Sequence, residues 1–387
     1  KPYDVREKLL FSKLSKNPAV ETIFCDLLFG FGVAERTLLE AGVAERTSDS
    51  LELNECDRFF ITPSHCSVAT LMFKQFRQGG SNYKHYDAVD PQKIPGNYRV
   101  RSPIAIHKIA TEVDVLQNLG YPITENQFFV AFKCWVDTGA ERTLVAFIGP
   151  PEAVVSENFM VVRSDILGLF SLGAVLCSIT SDFIVKRLKI EHIYESTITK
   201  LPACNPPESA TLRMLILSSQ IDLFSGAASY CLRSLSKFCD HYYSPTLFST
   251  ISEKKSLLDT NGFLSLSILE RKLIEIEIDV LIAMALGLNA EDLDVMLLAF
   301  PLLEQNDTNS FYFPNGNLAF SSATNLRTLN CFSGSNREWQ AHLQSEGFKV
   351  ATPSKFQCDV DYLYIDRSYE YKTAWTYFEK LEQEGKL

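Results

Sequence analysis

The chain has 387 residues, 46% hydrophobic and 12% aromatic, enough to bury a sizeable core and to predict two or three domains. Its formal charge of −10 argues against a protein whose whole surface grips nucleic acid, because phosphate contacts come from Lys and Arg. No apolar run reaches the roughly 18 residues of a bilayer span, and the N-terminus lacks the basic flank, apolar run and cleavage site of a signal peptide, so a cytoplasmic protein with no membrane partner is expected. The ten cysteines are scattered with no Cys-x-x-Cys pair, which predicts reduced, mostly buried thiols and no metal site. A start at Lys1 rather than Met suggests a piece of something longer.

In chain order, residues 1–78 show mixed helical periodicity, with apolar positions in Val20–Phe31 and Val68–Phe76, and predict a mostly helical region. The hexapeptide Gly-Val-Ala-Glu-Arg-Thr occurs at Gly32–Thr37 and again at Gly42–Thr47, a period too short for a solenoid. Gly79–Gly96 reads as a loop or boundary. Beyond it Tyr98–Ile109, Gln127–Val136 and Arg142–Ile148 are rich in β-branched and aromatic residues and predict a sheet that stops at Gly149-Pro150-Pro151.

From Asp165 the period becomes helical. Leu169, Leu172, Leu176, Ile179 and Phe183 share one face of a predicted helix Asp165–Leu188, whose cationic end complements the helix dipole. A Pro-rich break around Pro202–Pro207 precedes a helical run from Ala210 to Phe238. In Ser267–Gly287 the alternation of Ile274, Ile276 and Ile278 with acidic residues imitates a strand, but the Ser267/Glu270 capping box and Gly287 as a stop favour helix. A short helix follows from Asn289 to Phe300-Pro301. The whole is predicted as α+β, with a helical region 1–78, a central sheet with packed helices over 79–304, and a small α/β tail over 305–387.

Three local candidates for chemistry are weak. Asn205-Pro206-Pro207 matches the start of the catalytic tetrapeptide of adenine methyltransferases, but Glu208 stands where the stacking ring is needed, and no Gly-rich turn for a nucleotide-like cofactor lies upstream. The tail holds Asp359, Asp361 and Glu370-x-Lys372, the order of a Mg²⁺-dependent nuclease if they lie on adjacent strands. The six histidines show no metal-ligand spacing.

The most informative block runs from Arg99 to Leu303. It contains Arg142-Thr143 leading a strand to Pro150-Pro151, then Leu176-Cys177-Ser178 within a helix, Leu201-Pro202, Glu270-Arg271 leading through Glu277-Ile278-Asp279, and Leu286-Gly287-Leu288 followed by Phe300-Pro301. This ordered series resembles the C-terminal region of large adenine-specific DNA methyltransferases, including type IIG restriction enzymes and related phage-defence methylases. Two positions depart from the family pattern: Leu286 replaces an aromatic, and Cys177 replaces the usual Asn.

The resemblance implies a target-recognition region that lies on double-stranded DNA. A methyltransferase catalytic domain elsewhere would bind S-adenosylmethionine, so no cofactor is expected on these residues. Exposed cations of the sheet region are the candidate DNA contacts: Arg99, Arg101, Lys133, Arg142 and the trio Lys186, Arg187 and Lys189, with Arg suited to guanine and Lys to phosphate. Arg142 has a competing reading as a structural ion-pair partner. The rival function is a protein-interaction scaffold among other subunits of a defence complex, which the acidic balance favours.

Overall fold

The computed structural model combines helices and strands, and the α+β class read from the sequence holds. The structure describes residues 4–46, 58–69, 74–77, 86–88, 101–106, 112–121, 128–151, 153–218, 266–308, 310–312, 318–321 and 363–387.

The N-terminal part comprises α1 (Val5–Leu14), α2 (Val20–Ile23), β1 (Leu28–Phe31), α3 (Glu35–Glu40), β2 (Ala44–Arg46), β3 (Arg58–Ile61) and β4 (Lys74–Phe76). The expectation of a mostly helical stretch is therefore corrected to a mixed one. These strands are three or four residues long, and β1 and β3 pair with strands far along the chain, so no local period announces them. The repeated hexapeptide shows the same effect. Glu35 and Arg36 of the first copy open α3, whereas Glu45 and Arg46 of the second lie in β2, hydrogen-bonded to a later strand.

Next come β5 (Tyr86–Ala88), β6 (Ile104–Ile106), α4 (Glu112–Asn118), β7 (Phe129–Lys133), β8 (Ala146–Gly149), β9 (Ala153–Val155) and β10 (Phe159–Arg163). Strands β1, β10, β7 and β8 form an antiparallel sheet in that order. A second sheet runs β2-β6-β3-β9, with β3 and β9 parallel. In β8 and β10 every residue is buried, which explains continuous apolar runs where a half-exposed sheet would alternate.

Helices α5 (Ile166–Cys177) and α6 (Ile179–Arg187) follow, then α7 (Glu195–Ile198) and α8 (Glu208–Ser218). The predicted single helix Asp165–Leu188 is broken at Ser178 by a 54° bend. Ser178 takes an extended backbone, closes α5 and caps α6 through its hydroxyl. Among the described residues no single helix is long and apolar enough to cross a membrane. The helical run expected to reach Phe238 is α8 as far as Ser218, and its remainder lies outside the described residues.

The last group is α9 (Ile268–Ala285), α10 (Ala290–Leu297), α11 (Pro301–Thr308), β11 (Ser310–Tyr312), β12 (Leu318–Ser321), β13 (Leu363–Tyr364) and α12 (Arg367–Gln383). The capping box of α9 forms as expected, with the Glu270 amide donating to Ser267 Oγ at 3.2 Å and the Ser267 amide to Glu270 Oε2 at 2.6 Å. Gly287 ends the helix at φ +73°, the left-handed conformation that glycine adopts without strain. Helix α5 covers β7 and β8, α8 packs on α5, and α9 lies between α8 and α12. The C-terminal helix is thereby built into the core of the central block.

Candidate functional site

The lead-in to β8 and helices α5, α6, α9 and α12 meet at one buried junction. Asp182, on α6, accepts Arg142 Nε at 2.6 Å through Oδ2, and the Thr143 and Leu144 amides at 3.0 and 2.8 Å through Oδ1. Arg142 Nη2 also donates to the Cys177 carbonyl at 2.8 Å, at the end of α5. One carboxylate thus grips three consecutive residues leading into β8. Burial pushes the Asp182 carboxyl above its usual range, against the pull of Arg142 and the two amides. Burial alone would lower Arg142, but the carboxylates of Asp182, Asp279 and Glu275 outweigh it and hold the guanidinium charged.

Asp279, on α9, ties the same knot from the other side. Its Oδ1 accepts the Ile179 amide at 2.6 Å, which satisfies a donor left over at the start of α6, and its Oδ2 accepts the Tyr371 hydroxyl of α12 at 3.0 Å. Arg367 lies 3.6 Å from Asp279 Oδ2 and donates from Nε to Asp307 Oδ2 at 2.6 Å. Lys272 completes the chain, 2.8 Å from Asp307 Oδ1. Burial raises the Asp307 carboxyl, but Arg367 and Lys272 outweigh it and leave the group below its ordinary value. A parallel link, Arg213 Nε to Glu277 Oε2 at 2.7 Å, joins α8 to α9.

Of the residues expected to contact DNA, Arg142 is a buried member of this junction, so its structural reading is the one that holds. Lys186 Nζ donates to the Ala140 carbonyl at 3.0 Å and sits over the Phe300 ring. Arg187 pairs with Glu7 of α1. Lys189 is exposed, with φ +53°, at the turn after α6. Arg101 is exposed and donates to Gln75 Oε1 at 3.3 Å, while Lys133 is half-buried at the end of β7. Burial lowers the Lys133 ammonium, and Lys74 is among the groups acting on it. Arg99 lies outside the described residues. The cations therefore divide into one set beside α6 and another beside β4. Lys74, which no sequence pattern marks, belongs to the second set.

The other candidates give no catalytic centre. Glu370 and Lys372 lie in the helix α12, not on a strand, and Lys372 pairs with Asp294 at 3.1 Å, so the nuclease arrangement is corrected. An i, i+2 pair on a helix does not share a face. Asp359 and Asp361 lie outside the described residues. Asn205 is exposed and Pro207 leads into α8, its carbonyl accepting the Ala210 amide at 2.8 Å, so the tripeptide serves as a helix lead-in. Among the described residues no three His, Cys, Asp or Glu side chains are grouped as a metal site. Burial pushes the Cys134 thiol up to about 11 and the Cys177 and Cys204 thiols up to about 12, which keeps them as unreactive thiols at neutral pH.

No family model matches the chain, and no curated protein matches it.

Proposed function

We propose that this chain is the specificity portion of a site-specific adenine-N6 DNA methyltransferase of restriction-modification or phage defence, acting in the cytoplasm on double-stranded DNA. The methyl-transfer step and the S-adenosylmethionine site belong to a catalytic domain outside this chain. What supports the reading is that the dispersed motifs of the series come together: the lead-in at Arg142-Thr143, the helix break at Ser178 and the acidic helix carrying Asp279 are hydrogen-bonded into one knot. In this reading Arg142 holds the scaffold, and the DNA contacts fall to exposed Arg101 with half-buried Lys133 and Lys74 on the β4 side, whereas Lys189 adjoins exposed Glu191 and Glu195.

The test is binding of the chain to mixed-sequence duplex DNA between roughly 50 and 200 mM salt. Affinity should fall steeply with salt, and the joint substitution Arg101→Ala and Lys133→Ala should reduce the salt slope by about 1 for each phosphate that is no longer neutralised. Absence of binding at low salt rejects the DNA reading. The scaffold reading then takes its place, favoured by the net charge of −10.

A further inference from the structure

Trp135 and Tyr194 are 63% and 47% exposed. An isolated β-bridge pairs Trp135 with His192, framed by hydrogen bonds from the Ile193 amide to the Cys134 carbonyl at 2.8 Å and from the Val136 amide to the Glu191 carbonyl at 3.2 Å. Trp135 meets His192 edge to face, with ring centroids 3.9 Å apart and planes at 65°. The His192 and Tyr194 rings are parallel within 7°, but their centroids are 6.1 Å apart. That separation is within the range of an offset stack, and the 47% exposure of Tyr194 leaves part of its ring open to solvent. The rings are held by backbone pairing, with Trp135 and Tyr194 exposed and His192 half-buried between them, a combination that marks recognition surfaces more than cores.

Charge decides what fits. Asp137, Glu157, Glu191 and Glu195 are exposed at positions neighbouring the paired segments, where the Asn158 carbonyl accepts the Cys134 amide at 2.8 Å, and Asp137 also acts on half-buried Lys186. Lys189 is the exposed cation of the adjoining turn. Four carboxylates repel a phosphate backbone and attract a cation, and a guanidinium combines a flat stacking face with donors spaced for carboxylates. We propose that the Trp135–His192–Tyr194 face docks an arginine-bearing segment of a partner protein, the guanidinium lying on an aromatic face while the surrounding carboxylates accept its N–H groups. This site stands independently of the DNA reading.

The test titrates the full chain with a synthetic peptide alternating arginine and glycine, its lysine-glycine counterpart, and a single-stranded oligonucleotide, by calorimetry at low and high salt. The arginine peptide should bind, more tightly than the lysine peptide, and Trp135→Ala should weaken it by roughly 3- to 30-fold. Glu191→Gln with Glu195→Gln should also weaken it and flatten its salt dependence. All these positions except half-buried His192 are exposed and lie outside the core, so an unchanged thermal midpoint verifies folding. Binding of the oligonucleotide in preference to the peptide overturns the proposal in favour of a base-stacking surface. No binding of the arginine peptide at low salt, or binding indifferent to both variants, overturns it outright.

Discussion

Asp182 holds Arg142 at 2.6 Å in a site where the two side chains are 0% and 8% exposed, and the same carboxylate carries the amides of the next two residues. The pair is therefore both an ion pair and a backbone clamp, and the two roles separate by substitution. Asp182→Ala removes both and should cost about 3–5 kcal/mol, the range for a buried charge left without its partner. Asp182→Asn keeps an acceptor for the amides but strands the guanidinium. Joining Asp182→Asn with Arg142→Met removes the stranded charge and should return stability to within about 2 kcal/mol of the parent. Urea midpoints order the three variants. A double variant no better than Asp182→Asn would show that the ion pair itself does not set the cost.

The Tyr371 hydroxyl on Asp279 docks the C-terminal helix on the junction, with Arg367 beside it. Tyr371→Phe preserves the ring and deletes one hydrogen bond to a buried carboxylate, a loss of about 1.5–3 kcal/mol. If α12 opens as a local unit, amide protection over residues 367–383 should fall roughly 10- to 100-fold while that of β7 and β10 stays unchanged. Uniform loss across the chain would instead place α12 in the same cooperative unit as the sheet.

Where the sequence is legible, a local signal suffices. The Ser267/Glu270 box and Gly287 bracket α9 because both ends are satisfied by neighbours in sequence, and Asn289 caps α10 for the same reason, its Oδ1 accepting the Asp292 amide at 3.0 Å. The break at Ser178 is not legible, because the spacing of Leu169 through Phe183 continues across it and the acceptor that compensates it, Asp279, lies 100 residues away. Strands β1, β2 and β3 escape for a related reason, their partners being β10, β6 and β9. At the site, Asp182 and Asp279 read as ordinary acidic positions on helical patterns. Only the fold shows that they are buried and that one of them engages Arg142.

His65 adds a pH dependence that the fold makes specific. Its Nδ1 accepts the Thr62 amide at 2.9 Å, so the ring proton sits on Nε2 and donates to the Arg101 carbonyl at 3.0 Å. Burial pushes the imidazole from 6.5 down to about 4, against the hydrogen bond to the Arg101 carbonyl, which favours the charged ring. Because the folded value lies below the unfolded one, the unfolded chain takes up its proton first. The contribution of His65 is full above about pH 6.5 and is lost as pH falls towards 4, by about 3 kcal/mol in total. His65→Asn keeps an acceptor for Thr62 but does not titrate, and should remove that part of the slope between pH 6.5 and 4. A slope unchanged in the variant would assign the acid sensitivity to other groups.

The two copies of the repeated hexapeptide open on glycines that are needed for opposite reasons. A Cβ on Gly32 would lie 1.9 Å from the Ser156 carbonyl oxygen and 2.7 Å from that of Val155, both backbone atoms that cannot step aside without disturbing the end of β9. A Cβ on Gly42 would meet nothing within 4 Å, but its φ is +69°. Gly32→Ala should therefore cost at least about 1–3 kcal/mol through overpacking. Gly42→Ala should cost about 1–2 kcal/mol through backbone strain alone. Asparagine discriminates the causes, since it tolerates the left-handed region but is larger than alanine. Gly42→Asn should recover part of the loss seen with alanine, whereas Gly32→Asn should be worse than Gly32→Ala. Thermal midpoints of the four variants measure this, and recovery by asparagine at position 32 would show that conformation rather than space constrains the first copy.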